Sequence, residues 1–223
     1  MIEWSEIDTV LLDMDGTLLD LHFDSHFWLE HLPRRYVELH QLDEASQDII
    51  RARIIGEQGT LNWYSLAYWS RELGVDIVAL KREVQHLIGL RSDALDFLTW
   101  LKQAHPRVVL ATNADRASLA LKLPLTGLEN YLDAIISSED VGAAKEDQAF
   151  WSALQRLEPF DPTRTLFIDD NPHVLASART FGIQYLMGIK QPDSQRPEKA
   201  LEEFIALDRF AQLLPQLEQQ GER

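Results

Sequence analysis

Two aspartates directly follow an apolar run near the start of the sequence. Residues 10–12 (VLL) are typical of a strand that is buried on both faces, and Asp13 and Asp15 come immediately after it. Because alternate residues of a strand point to the same side, we expect the two carboxylates to start side by side. Two anions at that distance repel each other unless a cation, a proton or a developing charge lies between them. The pair therefore predicts a site that binds a cation or moves protons.

Polar side chains also end the later strand-like runs. Thr112 and Asn113 follow one apolar run, Asp169 and Asp170 follow another, and Lys145 lies in the loop predicted between them. Each of these residues alone is typical of a turn or a helix cap. Ligands of open α/β sheets, however, bind outside the carboxyl ends of the strands, where these residues would converge. Four carboxylates gathered there favour a hard cation with oxygen ligands, such as Mg²⁺.

The elements that must position these side chains alternate along the chain. Strands are predicted at 9–14, 107–114, 133–138, 165–170 and 183–188, and helices at 92–103, 116–123, 148–157 and 173–181. This alternation predicts an α/β fold with a Rossmann-like, doubly wound parallel sheet. Residues from about 24 to 90 contain no convincing strand and carry apolar and aromatic residues at helical spacing, which predicts three or four packed helices. We therefore expect a core domain of residues 1–20 and 91–223 with a helical insert at 21–90.

Composition narrows the classes of function. The 223 residues contain 21 Lys plus Arg and 36 Asp plus Glu, a net charge of −15, with no basic run. A chain this acidic is a poor candidate for binding a nucleic-acid polymer or an anionic membrane, and an anionic substrate would need a local cation. The absence of cysteine excludes thiolate catalysis and disulfides. No signal peptide and no apolar run of about 20 residues is present, which predicts a soluble, cytoplasmic protein.

The motifs occur in the order that characterises the haloacid dehalogenase-like (HAD) superfamily. DMDGT (13–17) resembles the first motif of that superfamily, Thr112 the second, Lys145 the third and FIDDNP (167–172) the acidic fourth. The helical insert is similar to the cap domain that the superfamily places between its first two motifs. The resemblance covers the whole α/β part, and it implies an enzyme that transfers a phosphoryl group or cleaves a carbon–halogen bond.

The resemblance implies roles for the two aspartates of the first motif. Asp13 would be the nucleophile that forms an aspartyl-phosphate, which water then hydrolyses. Asp15 would protonate the leaving alkoxide and later take a proton from the attacking water. Superfamily members that cleave carbon–halogen bonds usually lack this second aspartate. Its presence therefore indicates a phosphatase.

The remaining motif residues would hold the phosphate and the metal ion. Thr112 would donate its hydroxyl group, Gly16 and Asn113 their backbone amides, and Lys145 a positive charge. Magnesium would be bound by the side chain of Asp13, the backbone carbonyl of Asp15 and the carboxylate of Asp170. Asp169 would bind a metal-bound water or orient the lysine.

A closer resemblance concerns the substrate. DTVLLDMDGTLLDL, TLNWY, KEDQ and RTLFIDD are similar to segments of the bacterial GMP/IMP 5′-nucleotidases of this superfamily. The resemblance implies a small phosphate ester as the partner, most specifically a purine mononucleotide. The aromatic residues of this segment are, by their spacing, more typical of a helix core than of a base-stacking surface. Asn62 and Trp63 begin the helix predicted at TLNWY, so of this group they are the ones expected to face the cleft and bind the base.

Two other functions are compatible with the same residues. The first is a phosphatase for sugar phosphates, or a phosphomutase that returns the phosphoryl group to its substrate. The second is a non-enzymatic protein that binds a phosphate-containing ligand. Intact Asp13, Asp15 and Lys145 argue against the second, because a protein that has lost catalysis would be expected to lack at least one of them.

Overall fold

Six parallel strands form one sheet. The computed structural model describes residues 2–104, 106–201 and 203–214, and its strands are β1 (Thr9–Leu12), β2 (Arg107–Thr112), β3 (Ala134–Ser137), β4 (Thr165–Asp169), β5 (Tyr185–Ile189) and β6 (Ile205–Leu207). Their order across the sheet is β3-β2-β1-β4-β5-β6. The chain therefore builds outward from β1 on one side and then crosses to the other side with β4. The predicted doubly wound parallel sheet is confirmed.

The observed strands differ from the predicted ones mainly at their ends. All five predicted strands exist. The first four end before the last polar residues predicted for them, which turn out of the ladder, and the fifth begins two residues later and ends one residue later than predicted. The strand β6 was not predicted. It has three residues, of which two are exposed, so it lacks the apolar run that identifies the buried strands.

Eleven helices are found within the described residues. They are α1 (His22–His26), α2 (Leu32–His40), α3 (Ser46–Gly56), α4 (Leu61–Tyr64), α5 (Leu66–Leu73), α6 (Ile77–Glu83), α7 (Ala94–Ala104), α8 (Arg116–Thr126), α9 (Ser138–Val141), α10 (Gln148–Leu157) and α11 (Pro172–Phe181). The first six follow β1 directly, and a π-helical segment (Phe27–His31) joins α1 to α2. The insert thus contains more and shorter helices than predicted.

Apolar side chains cover both faces of the sheet. Val10 and Leu12 point into one buried cluster together with residues of α7, whereas Leu11 points into a second cluster with residues of α10 and α11. The three apolar side chains of β1 are completely buried, which stabilises the fold by about 1.5–3 kcal/mol for each. The central strand is therefore fixed from both sides, and so is the position of the residues that follow it.

The helices between β1 and α7 have an apolar cluster of their own. Phe27 and Trp69 are completely buried at its centre, and Leu121 of α8 is the one buried member from outside this segment within the described residues. The separate cluster is compatible with the predicted division at residues 20/21 and 90/91, which stays a prediction.

A buried ionic cluster joins the helical segment to the core. The carboxylate of Asp24 in α1 accepts hydrogen bonds from Lys81 Nζ of α6 and Lys122 Nζ of α8, each at 2.6 Å. Burial alone would raise the pKa of Asp24, but the two ammonium groups outweigh it and lower this pKa to about 2. The carboxylate is therefore ionised and compensates two buried lysines.

We predict that Asp24→Asn lowers the free energy of unfolding by about 3–5 kcal/mol at neutral pH, because two buried ammonium groups lose their counterion. Urea denaturation measures this loss. Folding lowers the pKa of Asp24, so its contribution is complete above the pKa of an unfolded aspartate, about 3.9. The difference between wild type and variant should therefore shrink as the pH falls toward about 2.

The matched control for this prediction is Asp48→Asn. Asp48 is paired with Arg51 at 2.6 Å, but its side chain is 83% exposed. Removing such a surface pair should cost about 0–1 kcal/mol. Equal losses in the two variants would contradict the buried role of Asp24.

Candidate active site

The carboxyl ends of β1, β2 and β4 meet at one edge of the sheet, where the strand order reverses. Asp13 follows β1, Thr112 ends β2, and Asp169 ends β4. Lys145 enters from the loop after α9. These four side chains line a single cavity of about 640 Å³, which the helical segment closes on its far side. The predicted convergence of the strand ends is therefore present in the structure.

Lys145 lies between two of the carboxylates. Its Nζ donates to Asp13 Oδ1 and to Asp169 Oδ2, both at 2.6 Å. Its backbone is held as well, because the Asn113 side chain accepts its amide hydrogen and Trp151 Nε1 donates to its carbonyl. Burial alone would lower the pKa of Lys145, but the two carboxylates outweigh it and raise this pKa. A fixed positive charge thus lies beside Asp13.

Three carboxylates gather around a point suited to a cation. Oxygens of Asp13, Asp169 and Asp170 lie within 4.8 Å of one another. Burial, together with the neighbouring carboxylate charges, raises the pKa of both Asp13 and Asp169, although Lys145 opposes it. Oxygen ligands of this kind fit a hard cation such as Mg²⁺, whose charge would offset their repulsion.

The two aspartates of the fourth motif differ in how their oxygens are used. Both carboxylate oxygens of Asp169 accept a hydrogen bond, Oδ1 from the amide of Asn171 and Oδ2 from the ammonium group of Lys145. Asp170 receives one bond in the described part of the chain, from the half-exposed Lys199 at 3.0 Å. Asp170 therefore has the freer carboxylate, and Asp169 is the one that orients the lysine.

Gly16 allows Asp170 to approach the first motif. Its φ is +87°, and a Cβ atom there would lie 2.8 Å from Asp170 Cγ. The amide of Gly16 donates to the carbonyl of Leu19 at 2.8 Å. The prediction that this amide binds the substrate is therefore wrong for this conformation, because the turn after β1 already uses it. The contribution of Gly16 is steric.

Asp15 lies in the turn that follows β1, and its carboxylate pairs with a lysine of α8. The strand β1 ends at Leu12, so the alternation does not extend to Asp15, and its Oδ1 lies 2.7 Å from Lys122 Nζ. Burial raises the pKa of Asp15 to about 6, with Lys122 opposing and Asp24 adding to the shift. A carboxyl group with such a pKa can both give and take a proton near neutral pH.

Two polar residues at the end of β2 complete the edge. Thr112 Oγ1 accepts the amide of Ala114, which leaves its hydroxyl hydrogen free to be donated into the cavity. The Asn113 side chain instead bonds to the loop, at the amide of Lys145 and at Glu146 Oε2. The side chain of Asn113 therefore shapes the lysine loop.

The segments TLNWY and KEDQ meet in space. Tyr64 in α4 donates its hydroxyl to Glu146 Oε1 at 2.8 Å. Trp63 lines the cavity, but Asn62 is exposed and does not. The prediction that Asn62 faces the cleft is therefore wrong: α4 is a single turn capped by Thr60, and that turn directs only Trp63 and Tyr64 inward.

The sequence did not identify Trp28, which lines the same wall. Its ring lies 6.4 Å from that of Trp63, centroid to centroid, with the planes 25° apart. Trp28 lies in the π-helical segment, 35 residues before Trp63, and only the cluster of aromatic residues in the insert hinted at such a wall. The cavity thus has an ionic end at the sheet and an aromatic end at the helices.

The fold and the acidic cleft are typical of doubly wound α/β enzymes, which bind their ligands at the carboxyl ends of the strands. Comparison with known families agrees with this class. Residues 7–182 match the family described as haloacid dehalogenase-like hydrolase, and the chain belongs to that family. The resemblance inferred from the motifs is thereby confirmed.

Similar proteins are found by sequence and by structure. GMP/IMP nucleotidase YrfG of Escherichia coli (strain K12) is 41% identical over 217 residues, which cover 97% of this chain and 98% of that protein. An HAD phosphatase from Thermococcus onnurineus superposes with a TM-score of 0.74 at 20% identity, covering 93% of this chain and 96% of that one. A putative beta-phosphoglucomutase from Thermotoga maritima superposes at 0.66 and 21% identity, with the same coverage of both chains. These structural similarities concern the fold.

No helix of the described residues combines the length and the apolar character that a membrane crossing requires.

We predict that Gly16→Ala weakens the use of magnesium by at least about tenfold, because the new methyl group displaces Asp170. The measurement is the dependence of hydrolysis on magnesium concentration. Gly182→Ala is the control: its φ is also positive, at +111°, but no atom lies within 4 Å of the added Cβ. Both variants should lose about 1–2 kcal/mol of stability to backbone strain. An unchanged magnesium dependence in Gly16→Ala would contradict the steric role.

Proposed function

We propose that this chain is a magnesium-dependent phosphomonoester hydrolase that acts through an aspartyl-phosphate and whose substrates are purine 5′-mononucleotides, GMP and IMP. The observation that carries the substrate is the 41% identity with a GMP/IMP nucleotidase across 97% of the chain. The buried Lys145, which bridges Asp13 and Asp169, supports the chemistry.

The first half-reaction uses residues of β1, β2 and the lysine loop. Thr112 and Lys145 bind the phosphate oxygens, and Asp13 attacks phosphorus with a carboxylate oxygen. As the bond from phosphorus to the nucleoside oxygen breaks, Asp15 gives its proton to that oxygen. Magnesium, when bound, neutralises phosphate oxygens and lets two anions approach each other. The side chains of Asp13 and Asp170 would hold it, with the Asp15 carbonyl as the expected backbone ligand, and Asp169 would orient Lys145 beside it.

The second half-reaction regenerates the carboxylate. Asp15, now ionised, takes a proton from a water molecule, and that water attacks the phosphorus of the aspartyl-phosphate. The bond between Asp13 and phosphorus breaks, and inorganic phosphate leaves. One residue therefore serves as acid and then as base, which suits a pKa of about 6.

The aromatic end of the cavity suits a purine base. Stacking on a ring such as Trp28 or Trp63 is worth about 1–3 kcal/mol per base. An indole N–H is a donor only, so it can pair with the 6-oxo group of GMP and IMP but not with the 6-amino group of AMP. Neither indole nitrogen of these two residues has a partner within the described residues. Both are therefore available to read the base.

The nucleophile is tested with Asp13→Asn. The amide has nearly the same shape but cannot attack phosphorus, so turnover of GMP should fall by at least about 10⁴-fold while the fold is kept. The assay measures release of inorganic phosphate. Wild type in excess chelator is a second inactive sample, and added magnesium should restore its activity. Stoichiometric phosphate release identifies a hydrolase and excludes a phosphomutase. Turnover by Asp13→Asn near the wild-type rate would refute the covalent mechanism.

The reading of the base is tested with Trp63→Phe, which keeps an aromatic face and removes the N–H group. The ratio of kcat/KM for GMP to that for AMP should fall by about tenfold, the value of one hydrogen bond. Asn62→Ala serves as the control, since Asn62 lies outside the cavity, and should leave this ratio unchanged. A panel with UMP and a hexose phosphate completes the experiment. A hexose phosphate as the best substrate of the wild type would leave only the phosphatase part of the proposal.

A further inference from the structure

Lys122 is a buried lysine that the sequence motifs leave unexplained. It lies in α8, is 1% exposed and lines the cavity. Its Nζ is 2.7 Å from Asp15 Oδ1 and 2.6 Å from Asp24 Oδ2, and it faces the ring of Phe23 at 5.3 Å. A surface lysine is solvated by water, whereas this ammonium group is buried between two carboxylates. Its charge therefore acts on those two groups.

We propose that Lys122 is a positioning residue for the reaction, which holds the Asp15 carboxylate at the leaving-group side of the cavity and away from the three carboxylates of the cation site. This inference rests on the proposed function, because it takes Asp15 as the group that protonates the leaving oxygen. The contacts of the Lys122 ammonium group are with Asp15 and Asp24, so in this proposal it acts through Asp15.

The position of Asp15 needs such a partner. Asp15 lies in the turn after β1, where the regular strand no longer fixes the direction of a side chain. The same cavity also contains the carboxylates of the cation site and the ammonium group of Lys145. An Asp15 side chain turned toward them would point away from the leaving group. The ion pair with Lys122 draws the carboxylate in the other direction.

The helix that carries Lys122 is itself fixed. Asp115 caps the start of α8 by accepting the amide of Ser118 with one carboxylate oxygen. Its other oxygen accepts the amide of Leu66 at the start of α5, at 2.6 Å. A helix held at its end in this way supplies a rigid base for the lysine. Asp24 then determines where the ammonium group points, because it binds the side of Nζ that Asp15 does not use.

The same cluster contains a matched control. Lys81 is buried to the same degree, donates to the other oxygen of Asp24 at 2.6 Å and also faces the ring of Phe23. It has no ion pair with Asp15. Loss of Lys81 therefore removes a buried charge from the cluster without removing the contact to Asp15.

The experiment compares two esters with Lys122→Met and Lys81→Met. A nucleoside alkoxide leaves only with a proton, whereas para-nitrophenolate is a stable anion that leaves without one. The value of kcat/KM covers the steps up to formation of the aspartyl-phosphate. In Lys122→Met, it should fall by about 100-fold for GMP and by less than about tenfold for para-nitrophenyl phosphate, since general acid catalysis is worth about 10²–10⁴-fold. Lys81→Met should keep the ratio of the two values within about threefold of wild type.

Conservative variants of Lys122 distinguish its effect on the position of Asp15 from its effect on packing. Lys122→Arg keeps the charge and should keep the wild-type ratio between the two esters. If Lys122→Met does not fold, Lys122→Gln, which removes the charge but keeps a donor, is judged by the same ratio. Equal losses for both esters, or the same change of ratio in Lys81→Met, would overturn the inference.

The outcome is independent of the substrate proposed above. If the wild type hydrolyses para-nitrophenyl phosphate but not GMP, the nucleotidase proposal fails on the wild type alone. The comparison then uses the alkyl phosphate that the wild type hydrolyses best, and the same criterion decides the role of Lys122.

Discussion

Repulsion among carboxylates at one edge of a parallel sheet is the constraint on which the rest of this structure depends. Asp13, Asp15, Asp169 and Asp170 lie at this edge in a chain that is already strongly acidic. Bringing such groups together is unfavourable without compensating charge. The protein supplies that charge from two buried lysines, one on each side of the first motif. Lys145 bridges two of the carboxylates, and a lysine of α8 holds a third. A divalent cation, as proposed above, would offset the remaining repulsion.

The sheet topology decides which elements can deliver these charges. Because β2 and β4 flank β1 in parallel, their carboxyl ends lie beside the first motif, and the chain leaves each of them over the same edge. The segments that follow, α8 after β2 and α11 after β4, therefore begin at the site. The lysine loop follows β3, one strand further out, and has to reach back across β2. Asn113 makes that reach possible, since its side chain holds both Lys145 and Glu146.

The sequence predicted the features that depend on local pattern. Buried strands produce continuous apolar runs and their polar ends are visible as residue types, so the sheet and the four motif positions could be predicted. Features that depend on distant partners could not. Lys122 looks like an ordinary lysine within a helix, and its partner Asp24 lies 98 residues away. The wrong expectation for Asn62 has the same origin: the start of a helix was identified, but the direction of a single turn is set by tertiary packing.

The charges at the sheet edge also explain why the two ends of the cavity would have different roles. Asp13, Asp169 and Lys145 at the sheet edge bind one another, and in the proposed reaction this edge would hold the phosphate, which all such esters share. Selection must then come from the opposite wall, where Trp28 and Trp63 provide flat apolar surfaces and donor-only nitrogens. Two direct polar contacts tie that wall to the reacting groups, the Tyr64–Glu146 hydrogen bond and the Asp24–Lys122 ion pair. In the proposed reaction, a base bound at the aromatic end would contact residues connected to the lysine loop and to Asp15, which would link the identity of the base to the geometry of phosphoryl transfer.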